Sequence, residues 1–330
     1  MYPKPFHTTD ISRLNFLVTG GAGFIGSHIA EYLLRFGAGK VRVMDNFATG
    51  KKENIEFLSG FKGFEFFEGD IREVQDCEKG IEGCNFVFHQ AALGSVPRSI
   101  NDPLNTHQTN ATGFLNMLNA CRKGKVKRMI YASSSSVYGD IETSPKKEDL
   151  IGNPLSPYAV SKRINELYAE VFFKTYGMEV LGLRYFNIFG PRQNPDGEYA
   201  AAIPLFIKGH LKQEAVFING SGEQSRDFTF VENAVQANIK ACFSDNPQIP
   251  GKVFNVAAGK NVSVNELFEK IKKITGRGLK PVTHEVRKGD VKNSLADLSK
   301  SASLLGYAPE VFIDQGLEAT VSYFREKFAS

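Results

Sequence analysis

Three glycines at three-residue intervals lead from the first predicted strand, residues 15–19, into the first predicted helix, residues 24–36. Glycine permits a tight turn at the strand end, close approach of backbone N–H groups to a diphosphate, and close packing of helix on strand. The dipole of the following helix favours the negative charge. A dinucleotide site at the edge of a parallel α/β sheet is therefore predicted. The residues assigned to this turn are Gly20, Gly23, Phe24, Ile25 and Gly26.

The first half of the chain alternates short β-rich runs with longer helical patterns, as parallel βαβ units do. Beyond about residue 187 this alternation gives way to loops rich in glycine and proline. We predict an α/β fold, with a Rossmann-like doubly wound parallel sheet in residues 1–186 and a smaller mixed α/β substrate lobe in residues 187–330. Some strands and helices of residues 187–330 can belong to the first domain in this prediction. The predicted strands are 15–19, 41–44, 64–67, 86–89, 129–132 and 180–183.

Three further helices are predicted from apolar residues at helical spacing. Residues 105–122 and 158–176 form the first two, and Gly177 stops the second. The third, residues 265–275, follows Ser263 with Glu266 three residues on, which is the capping-box arrangement. The apolar stripe of helix 158–176 consists of Ile164, Leu167, Tyr168, Val171 and Phe172.

Polar and small residues follow the next strands, where a dinucleotide lies in a doubly wound sheet. Asp45 ends the second strand 19 residues after Gly26, where a carboxylate accepts hydrogen bonds from the adenosine ribose. It would repel a 2′-phosphate, so NAD is favoured over NADP, although Lys51 and Lys52 lie nearby. Asp70 is assigned to the adenine side, with a loop cap as its alternative. The cofactor residues predicted at this edge are Asp45, Asn46, Asp70, Ile71, Gln90, Ala91 and Ala92.

Composition argues against several classes of protein. The 330 residues carry 40 Lys+Arg and 36 Asp+Glu, and the charges are mixed along the chain, so neither nucleic acid nor a membrane is an expected partner. The longest uncharged run, residues 14–30, is too short and too polar to span a bilayer. Four cysteines without a C-x-x-C pair and six scattered histidines predict free thiols, no metal site and a cytoplasmic location.

Tyr158 and Lys162 share one face at the start of a predicted helix. An ammonium near a phenol lowers the pKa of the phenol and brings a tyrosine base within reach of neutral pH. Such a base can take a proton from a sugar hydroxyl while hydride leaves the same carbon. A serine hydroxyl from residues 133–136, after the fifth strand, can share that proton. The Tyr–Lys spacing is common on ordinary helices, so it gains meaning only with the dinucleotide turn.

With these motifs the chain resembles the extended short-chain dehydrogenase/reductases, in particular the nucleotide-sugar 4-epimerases. The segments that match are the glycine turn, Ser133–Gly139, Tyr158-x-x-x-Lys162 and Arg184–Asn187. The resemblance implies catalytic roles for Ser134, Tyr158 as base and Lys162, which also binds the nicotinamide ribose. It also places Asn110 near the cofactor, Tyr185 beside the nicotinamide, and Asn187, Arg226 and Arg287 on the UDP diphosphate. Asp227 and Asp290 are the alternative local partners of the two arginines.

Within this family, the sequence most resembles the epimerases that act on UDP-N-acetylglucosamine. The resemblance places Ser294 where epimerases restricted to UDP-glucose carry a tyrosine, and a serine leaves volume for an acetamido group. It implies reversible 4-epimerisation through a transient 4-keto sugar, with NAD tightly bound. The residues assigned to the substrate are Gly94, Ser95, Ser134, Ser135, Ser136, Asn187, Gln193, Ala201, Arg226, Arg287 and Ser294.

Other reactions stay open at this level. The first alternative is 4-epimerisation of UDP-glucose or UDP-glucuronate. Binding the carboxylate of UDP-glucuronate requires a cationic side chain, such as Arg192 or Arg98. Net dehydrogenation or cofactor binding without catalysis is less favoured. Dehydratases and decarboxylases need an extra acid in the serine segment, and Ser134–Val137 has none. Relatives are often dimers through a four-helix interface, so a homodimer that uses helices 105–122 and 158–176 is expected.

Overall fold

Short strands alternate with helices along most of the chain. The computed structural model describes residues 1–196, 200–285 and 293–329. The strands in chain order are β1 (Asn15–Thr19), β2 (Lys40–Asp45), β3 (Phe64–Glu68), β4 (Phe86–His89), β5 (Arg128–Ser134), β6 (Glu179–Tyr185), β7 (Ile188–Phe189), β8 (Phe217–Asn219), β9 (Ser225–Asp227), β10 (Thr229–Phe230), β11 (Val253–Val256), β12 (Asn261–Ser263), β13 (Val282–His284) and β14 (Asn293–Ser294).

The helices connect and cover these strands. In chain order they are α1 (Phe24–Arg35), α2 (Val74–Ile81), α3 (Val96–Asn101), α4 (Pro103–His107), α5 (Gly113–Lys123), α6 (Pro157–Tyr176), α7 (Ala202–Lys212), α8 (Val231–Phe243), α9 (Val264–Thr275), α10 (Ser299–Leu305) and α11 (Ile313–Ala329). Short 3₁₀ segments occupy Lys52–Asn54, Glu56–Gly60 and Ser135–Tyr138, and a π-helical segment occupies Gln108–Thr112.

The main sheet has seven parallel strands in the order β11-β6-β5-β4-β1-β2-β3. The chain winds outward from β1 in one direction and then, from β4, in the other, so the strand order reverses between β1 and β4. A crevice forms at such a reversal, outside the carboxyl ends of the strands. The predicted doubly wound α/β fold is confirmed, and each of the six predicted strands is present, with bounds extended by at most two residues at either end.

The sheet is buried on both faces, which explains why its strands are continuous apolar runs. Phe16 and Val18 pack with α1 and α8 in one cluster, whereas Leu17 between them packs with α2 and α5 in another. This alternation follows from the two-residue repeat of a strand. The sheet is therefore a rigid layer, and its carboxyl edge is a fixed platform for side chains.

One predicted helix, residues 105–122, is divided in the structure. The chain runs through α4, the π-helical segment Gln108–Thr112 and then α5. The wider turn holds Asn110, whose buried side chain is bonded to the backbone of Leu93 in the loop after β4. Interruptions of this kind are frequent at functional sites. The apolar spacing predicts the helix correctly, but it carries no sign of the extra residue in one turn.

Much of the apolar stripe of helix α6 faces outward, whereas Phe172 of the same stripe packs in the core. Leu167, Tyr168 and Val171 are exposed, while the side turned to the sheet buries Lys162 and Glu166. A helix usually buries its apolar face against its own core. The buried side of α6 thus carries charged groups, and much of its apolar side is exposed.

The chain beyond residue 187 divides its contributions. Strand β11 joins the main sheet beside β6, and α8 packs on one face of that sheet. The remainder forms a smaller lobe with its own apolar core, built mainly by α7, α9 and α11. Its small sheets have the orders β12-β9-β14 and β13-β8. The predicted capping box is confirmed, because Ser263 accepts the N–H of Glu266 and the Glu266 carboxylate accepts the N–H of Ser263.

Candidate active site

The glycine turn lies at the carboxyl edge of the sheet, next to the strand reversal. Gly20 has a φ of +64°, and a Cβ there would lie 2.6 Å from the backbone nitrogen of Ala91. A Cβ on Gly26 would lie 2.3 Å from the Gly20 carbonyl oxygen. Helix α1 begins at Gly23 without a side-chain cap. The first-turn N–H groups are thus left to a ligand, and the turn fits a dinucleotide diphosphate.

Asp45 ends β2 beside this turn. One of its oxygens accepts the N–H of Ala22 at 3.0 Å and the other that of Phe47 at 2.8 Å. Burial raises the pKa of Asp45, and these backbone hydrogen bonds work in the opposite direction. A carboxylate can accept further bonds at its remaining lone pairs. Asp45 is therefore an oriented acceptor at the place where a ribose of NAD is predicted.

Asp70 and Asn46 lie together one strand further out. The Asn46 amide donates to Asp70 at 2.9 Å, and the Arg72 guanidinium donates to the same carboxylate at 2.6 Å. Those contacts with Arg72 hold the pKa of Asp70 below its ordinary value. Asp70 also accepts the backbone N–H of Arg72, so the loop-cap alternative describes part of its role. The side chain of Ile71 packs in the core beneath this edge.

A closed ring of hydrogen bonds lies at the ends of β4 and β6. The Tyr185 hydroxyl donates to Gln90 Oε1 at 3.1 Å, and the Asn238 amide donates to that hydroxyl at 2.7 Å. Gln90 Nε2 donates to Asn238 Oδ1 at 3.3 Å and closes the ring. Burial raises the pKa of Tyr185 to about 12, so the phenol stays neutral. Ala91 and Ala92 follow Gln90 and are half-buried.

Tyr158 and Lys162 occupy the first two turns of α6. Ser156 caps the helix by accepting the N–H of Ala159, with Pro157 at the first position. Lys162 Nζ donates to the carbonyl of Ala132 at 2.8 Å and lies 5.9 Å from the centre of the Tyr158 ring. Burial lowers the pKa of Lys162 to about 8, so the ammonium is the main form at neutral pH.

Ser134 completes this group at the end of β5. Burial raises the pKa of Tyr158, and the Ser134 hydroxyl beside the phenol lowers it in part. In the protein without ligands, burial thus sets the direction of the Tyr158 pKa shift, opposite to the lowering expected from Lys162. Ser134 Oγ accepts the N–H of Ser136 at 3.1 Å, which begins the 3₁₀ segment that holds Ser135 and Ser136.

Asn110 supports the pair from behind. Its Oδ1 accepts the N–H of Leu93 at 2.8 Å, and its Nδ2 donates to the Ser161 hydroxyl, one residue before Lys162, at 3.2 Å. These partners tie the loop after β4 to α6. The same loop brings Gly94 and Ser95 to the carboxyl edge, where the Ser95 hydroxyl caps α3.

A cavity of about 310 Å³ opens between the smaller lobe and the chain after β6. Asn187, Ala201 and Arg226, all predicted for the substrate, line it. Sequence analysis missed other lining residues, because β8, β9 and α9 bring them together from distant parts of the chain and no local motif marks them. They include Phe217, Asn219, Gln224, Phe228 and Val264.

Ser294 is the strand partner of a residue that lines this cavity. It pairs with Arg226 in the register of β14 and β9. On the far side, Lys146 hydrogen-bonds the backbone of residues 295 and 297. Asp227 accepts the N–H groups of Ala258 and Gly259, and burial raises its pKa to about 6. Arg287, the other predicted diphosphate ligand, and Asp290 lie outside the described residues.

Gln193 and Arg192 belong to the loop between β7 and α7. Gln193 donates to the carbonyl of Ile188 at 3.1 Å. Arg192 is buried and paired with Glu31 of α1 at 2.5 Å, and it also contacts the ring of His28. These contacts anchor the loop to α1, and they engage the guanidinium that was considered for a substrate carboxylate.

Two further surveys apply to residues 1–196, 200–285 and 293–329. In these ranges, no helix combines the length and apolarity that crossing a membrane requires. The same ranges contain no group of three His, Cys, Asp or Glu side chains arranged to hold a metal ion. All four cysteines are free and buried.

Residues 16–257 match the family described as the NAD dependent epimerase/dehydratase family. UDP-N-acetylglucosamine 4-epimerase from Methanobrevibacter ruminantium M1, solved with UDP-N-acetylmuramic acid, is 39% identical with a TM-score of 0.90, over 96% of this chain and 99% of that one. UDP-glucose 4-epimerase from Thermotoga maritima, solved with UDP-glucose, is 38% identical with a TM-score of 0.89, over 96% and 100%.

UDP-glucuronic acid 4-epimerase from Bacillus cereus, solved with UDP-glucuronic acid and NAD, is 33% identical with a TM-score of 0.88, over 95% and 100% of the two chains. The similarity thus extends over nearly the whole chain and agrees with the fold, the glycine turn and the Tyr–Lys pair. The chain belongs to the NAD-dependent epimerase/dehydratase family, as an extended short-chain dehydrogenase/reductase of the nucleotide-sugar 4-epimerase type.

Proposed function

We propose that this protein interconverts UDP-N-acetylglucosamine and UDP-N-acetylgalactosamine. The observation that carries the choice of sugar is the position of Ser294, whose strand partner Arg226 lines the cavity. A small side chain there leaves space for an acetamido group on carbon 2 of the sugar. A pocket discriminates more strongly by excluding a group than by rewarding one contact. The choice is compatible with the 39% identity to a UDP-N-acetylglucosamine 4-epimerase, but a UDP-glucose 4-epimerase is 38% identical, so Ser294 carries the choice alone.

The cofactor site consists of the glycine turn, the N-terminus of α1 and Asp45, with Asn46, Asp70 and the ring of Gln90 and Tyr185 along the edge. The chemistry that bound NAD supplies is reversible hydride acceptance at its positively charged nicotinamide ring. Lys162 holds the adjacent ribose. Because Gln90 and Tyr185 fix each other through hydrogen bonds, they form a preorganised wall for that ring.

Tyr158 is the proposed base. It takes the proton of the sugar 4-hydroxyl while the C4–H bond is broken, and it returns a proton when the ketone is reduced. Ser134, which hydrogen-bonds Tyr158, shares the hydrogen bond to the sugar oxygen. The proposed role of the Lys162 ammonium, 5.9 Å from the centre of the Tyr158 ring, is to stabilise the phenolate. A 4-keto sugar that turned over before its reduction would present its other face to the cofactor, and reduction on that face would yield the 4-epimer.

The substrate's diphosphate is assigned to Asn187, Arg226 and Arg287. Guanidinium groups suit this role because they match phosphate oxygens with two parallel donors. The sugar lies between this cavity and Tyr158, next to the loop after β4 and the serine segment. Its proposed neighbours are Gly94, Ser95, Ser134, Ser135, Ser136, Gln193, Ala201 and Ser294.

The test compares kcat/KM for UDP-N-acetylglucosamine, UDP-glucose and UDP-glucuronate. Conversion of each sugar is measured by proton NMR, with the same preparation of the protein. We expect the acetylated sugar to have the highest value. A higher value for UDP-glucose or UDP-glucuronate would refute the sugar assignment while leaving 4-epimerisation intact. UDP-glucuronate is the less favoured of the two, since Arg192 is already paired with Glu31.

We also propose a cytoplasmic homodimer. Helices α4 to α6 present exposed apolar side chains around a groove of about 420 Å³, and Leu104 is 79% exposed. An apolar face of this kind on a polar protein usually marks an interface. Leu167→Glu, in the centre of the stripe, is expected to shift the sedimentation of the protein from dimer to monomer. An unchanged dimer with this variant would contradict the assignment of the interface.

A further inference from the structure

A carboxylate lies fully enclosed behind the catalytic helix. Glu166 follows Lys162 by one turn of α6 and Tyr158 by two turns, so the three side chains share a face. Its side chain is 2% exposed and that of its partner Arg184 is 0% exposed. Burying two charges is costly, and a protein is often equally stable when apolar side chains of similar size replace a buried ion pair. This pair therefore needs an explanation beyond stability.

Glu166 connects three elements at once. Its Oε1 accepts Arg184 Nε at 2.8 Å and its Oε2 accepts Nη2 at 2.9 Å, which is the bidentate geometry. The Ser133 hydroxyl donates to the same Oε1 at 2.7 Å. Arg163, one turn earlier on α6, donates to Oε2 at 3.1 Å. A single side chain thus ties α6 to both β5 and β6.

The strand register places these ties next to the reacting groups. Ser133 is paired with Arg184 across β5 and β6, and the following pair is Ser134 with Tyr185. The residues that bind Glu166 therefore immediately precede the proposed proton-sharing serine and the tyrosine assigned to the nicotinamide. Any shift of α6 along these strands would change the positions of Tyr158 and Ser134 relative to each other.

Arg184 extends the connection toward the sugar. Its Nη1 donates to the carbonyl of Glu148 at 2.9 Å, and the Glu148 carboxylate accepts the N–H of Asn255 at 2.9 Å. The Asn255 amide then donates to the carbonyls of Lys146 and Asp297. Lys146 and Asp297 also hydrogen-bond each other through the backbone, and the N–H of Lys146 donates to the carbonyl of Leu295, which follows Ser294. One buried network thus reaches from the catalytic helix to the proposed acetamido pocket.

We infer that Glu166 and Arg184 are positioning residues that set Tyr158 and Lys162 of α6 in register with Ser134 and Tyr185. The inference rests on the proposed catalytic roles of Tyr158 and Ser134. Removal of the carboxylate charge leaves Arg184 buried without its partner, and Ser133 loses its charged acceptor. Displacements of the order of 1 Å can cost about 100-fold in rate. The effect should therefore appear in kcat rather than in KM.

The same two strands offer a matched control at their other ends. Arg128 begins β5 and Glu179 begins β6, and the two are paired at 2.6 Å. This pair lies at the amino edge of the sheet, away from the reacting groups. Glu179→Gln and Glu166→Gln are the same chemical change on an arginine partner in the same strand pair. Ser133→Ala is the smaller perturbation, since it removes one hydroxyl from the network and leaves the ion pair in place.

The experiment measures kcat, KM and bound NAD for Glu166→Gln, Ser133→Ala and Glu179→Gln, with kcat normalised to subunits that retain NAD. We expect kcat to fall by about 30-fold or more for Glu166→Gln and by about fivefold for Ser133→Ala, with KM changed less than threefold. For Glu179→Gln, kcat should stay within twofold. The acid limb of the pH profile should move in Glu166→Gln only.

The inference is overturned if Ser133→Ala and Glu166→Gln keep their normalised kcat within twofold, as the control does. If Glu166→Gln does not fold, Ser133→Ala decides alone. Tyr158→Phe distinguishes the two levels of the argument. If that variant keeps its activity, the proposed catalytic roles are wrong. If it loses activity while the other variants do not, only the positioning role fails.

Discussion

The helix ends at the two edges of the main sheet differ in whether side chains cap them. At the amino edge, two arginines close off helix C-termini. Arg42 donates to three carbonyls at the end of α2, and Arg128 donates to three at the end of α8. Each is also paired with a glutamate on the neighbouring strand, Glu65 and Glu179 respectively. Cations satisfy these carbonyls and the helix dipole, so this edge contributes stability.

At the carboxyl edge, α1 begins without a side-chain cap at Gly23. The polar residues there, among them Asp45 and Tyr158, are oriented by bonds to backbone or to each other and keep capacity for a further partner. The difference indicates which groups serve the fold and which serve a ligand. Substitutions at the amino edge should change stability, and substitutions at the carboxyl edge should change chemistry.

The largest effect is expected from Tyr158→Phe. Loss of the phenol removes the base, so we expect kcat to fall by about 1,000-fold, since general acid–base catalysis contributes roughly 100- to 10,000-fold. Bound NAD and the melting temperature should change little. The measurement is conversion of the UDP-sugar by NMR, with the absorbance of bound NAD as the control. A decrease of less than tenfold would remove Tyr158 from the role of base.

Ser294→Tyr should come next and should act selectively. The added ring would occupy the acetamido space, so we expect kcat/KM for UDP-N-acetylglucosamine to fall by about 100-fold and that for UDP-glucose to change only a few-fold. Ser294→Ala is the matched control and should leave the ratio of the two values unchanged. An equal loss for both sugars would place Ser294 outside the sugar pocket.

Lys162→Met is expected to move the pH profile. The ammonium stabilises the phenolate of Tyr158, so its removal raises the pKa of the phenol and shifts the acid limb of kcat/KM to higher pH, by about one unit or more. Burial lowers the pKa of Lys162 to about 8, so this support weakens in the wild type above that pH. The profiles of both proteins from pH 6 to pH 10 test this. Residual activity with an unshifted limb would contradict the electrostatic role.

The smallest effect on activity is expected at the amino edge. Arg128→Met leaves three buried carbonyls and Glu179 without their donor, and we expect the free energy of unfolding to fall by about 2 kcal/mol. The kcat per folded subunit should stay within twofold. Urea denaturation and the epimerase assay measure the two quantities. A fall of kcat per folded subunit by more than twofold, with the free energy of unfolding unchanged, would contradict the contrast between the edges.

Sequence reasoning was most reliable where one local pattern determines the structure. The strands of the main sheet are apolar runs buried on both faces, and their bounds were predicted closely for that reason. Strands such as β10 and β14 contain two residues each, so no repeat can be recognised in them. The wider turn that divides α4 from α5 also leaves no periodic signal.

The site shows the same limit. The glycine turn and the Tyr–Lys pair are local motifs, whereas Asn238 reaches Gln90 across 148 residues and only the fold brings them together. For Glu166 a signal existed, since residues 158, 162 and 166 share one helix face. The apolar stripe suggested that the opposite face of α6 is the exposed one, whereas much of the stripe is exposed and Glu166 is buried.

The most direct test of epimerisation at this edge uses UDP-N-acetylglucosamine deuterated at carbon 4. The protein is incubated with it in ordinary water without added NAD, and the product is analysed by NMR and mass spectrometry. We expect UDP-N-acetylgalactosamine that keeps its deuterium at carbon 4, because the same hydride leaves and returns. Loss of that deuterium to solvent during epimerisation would contradict hydride transfer at carbon 4.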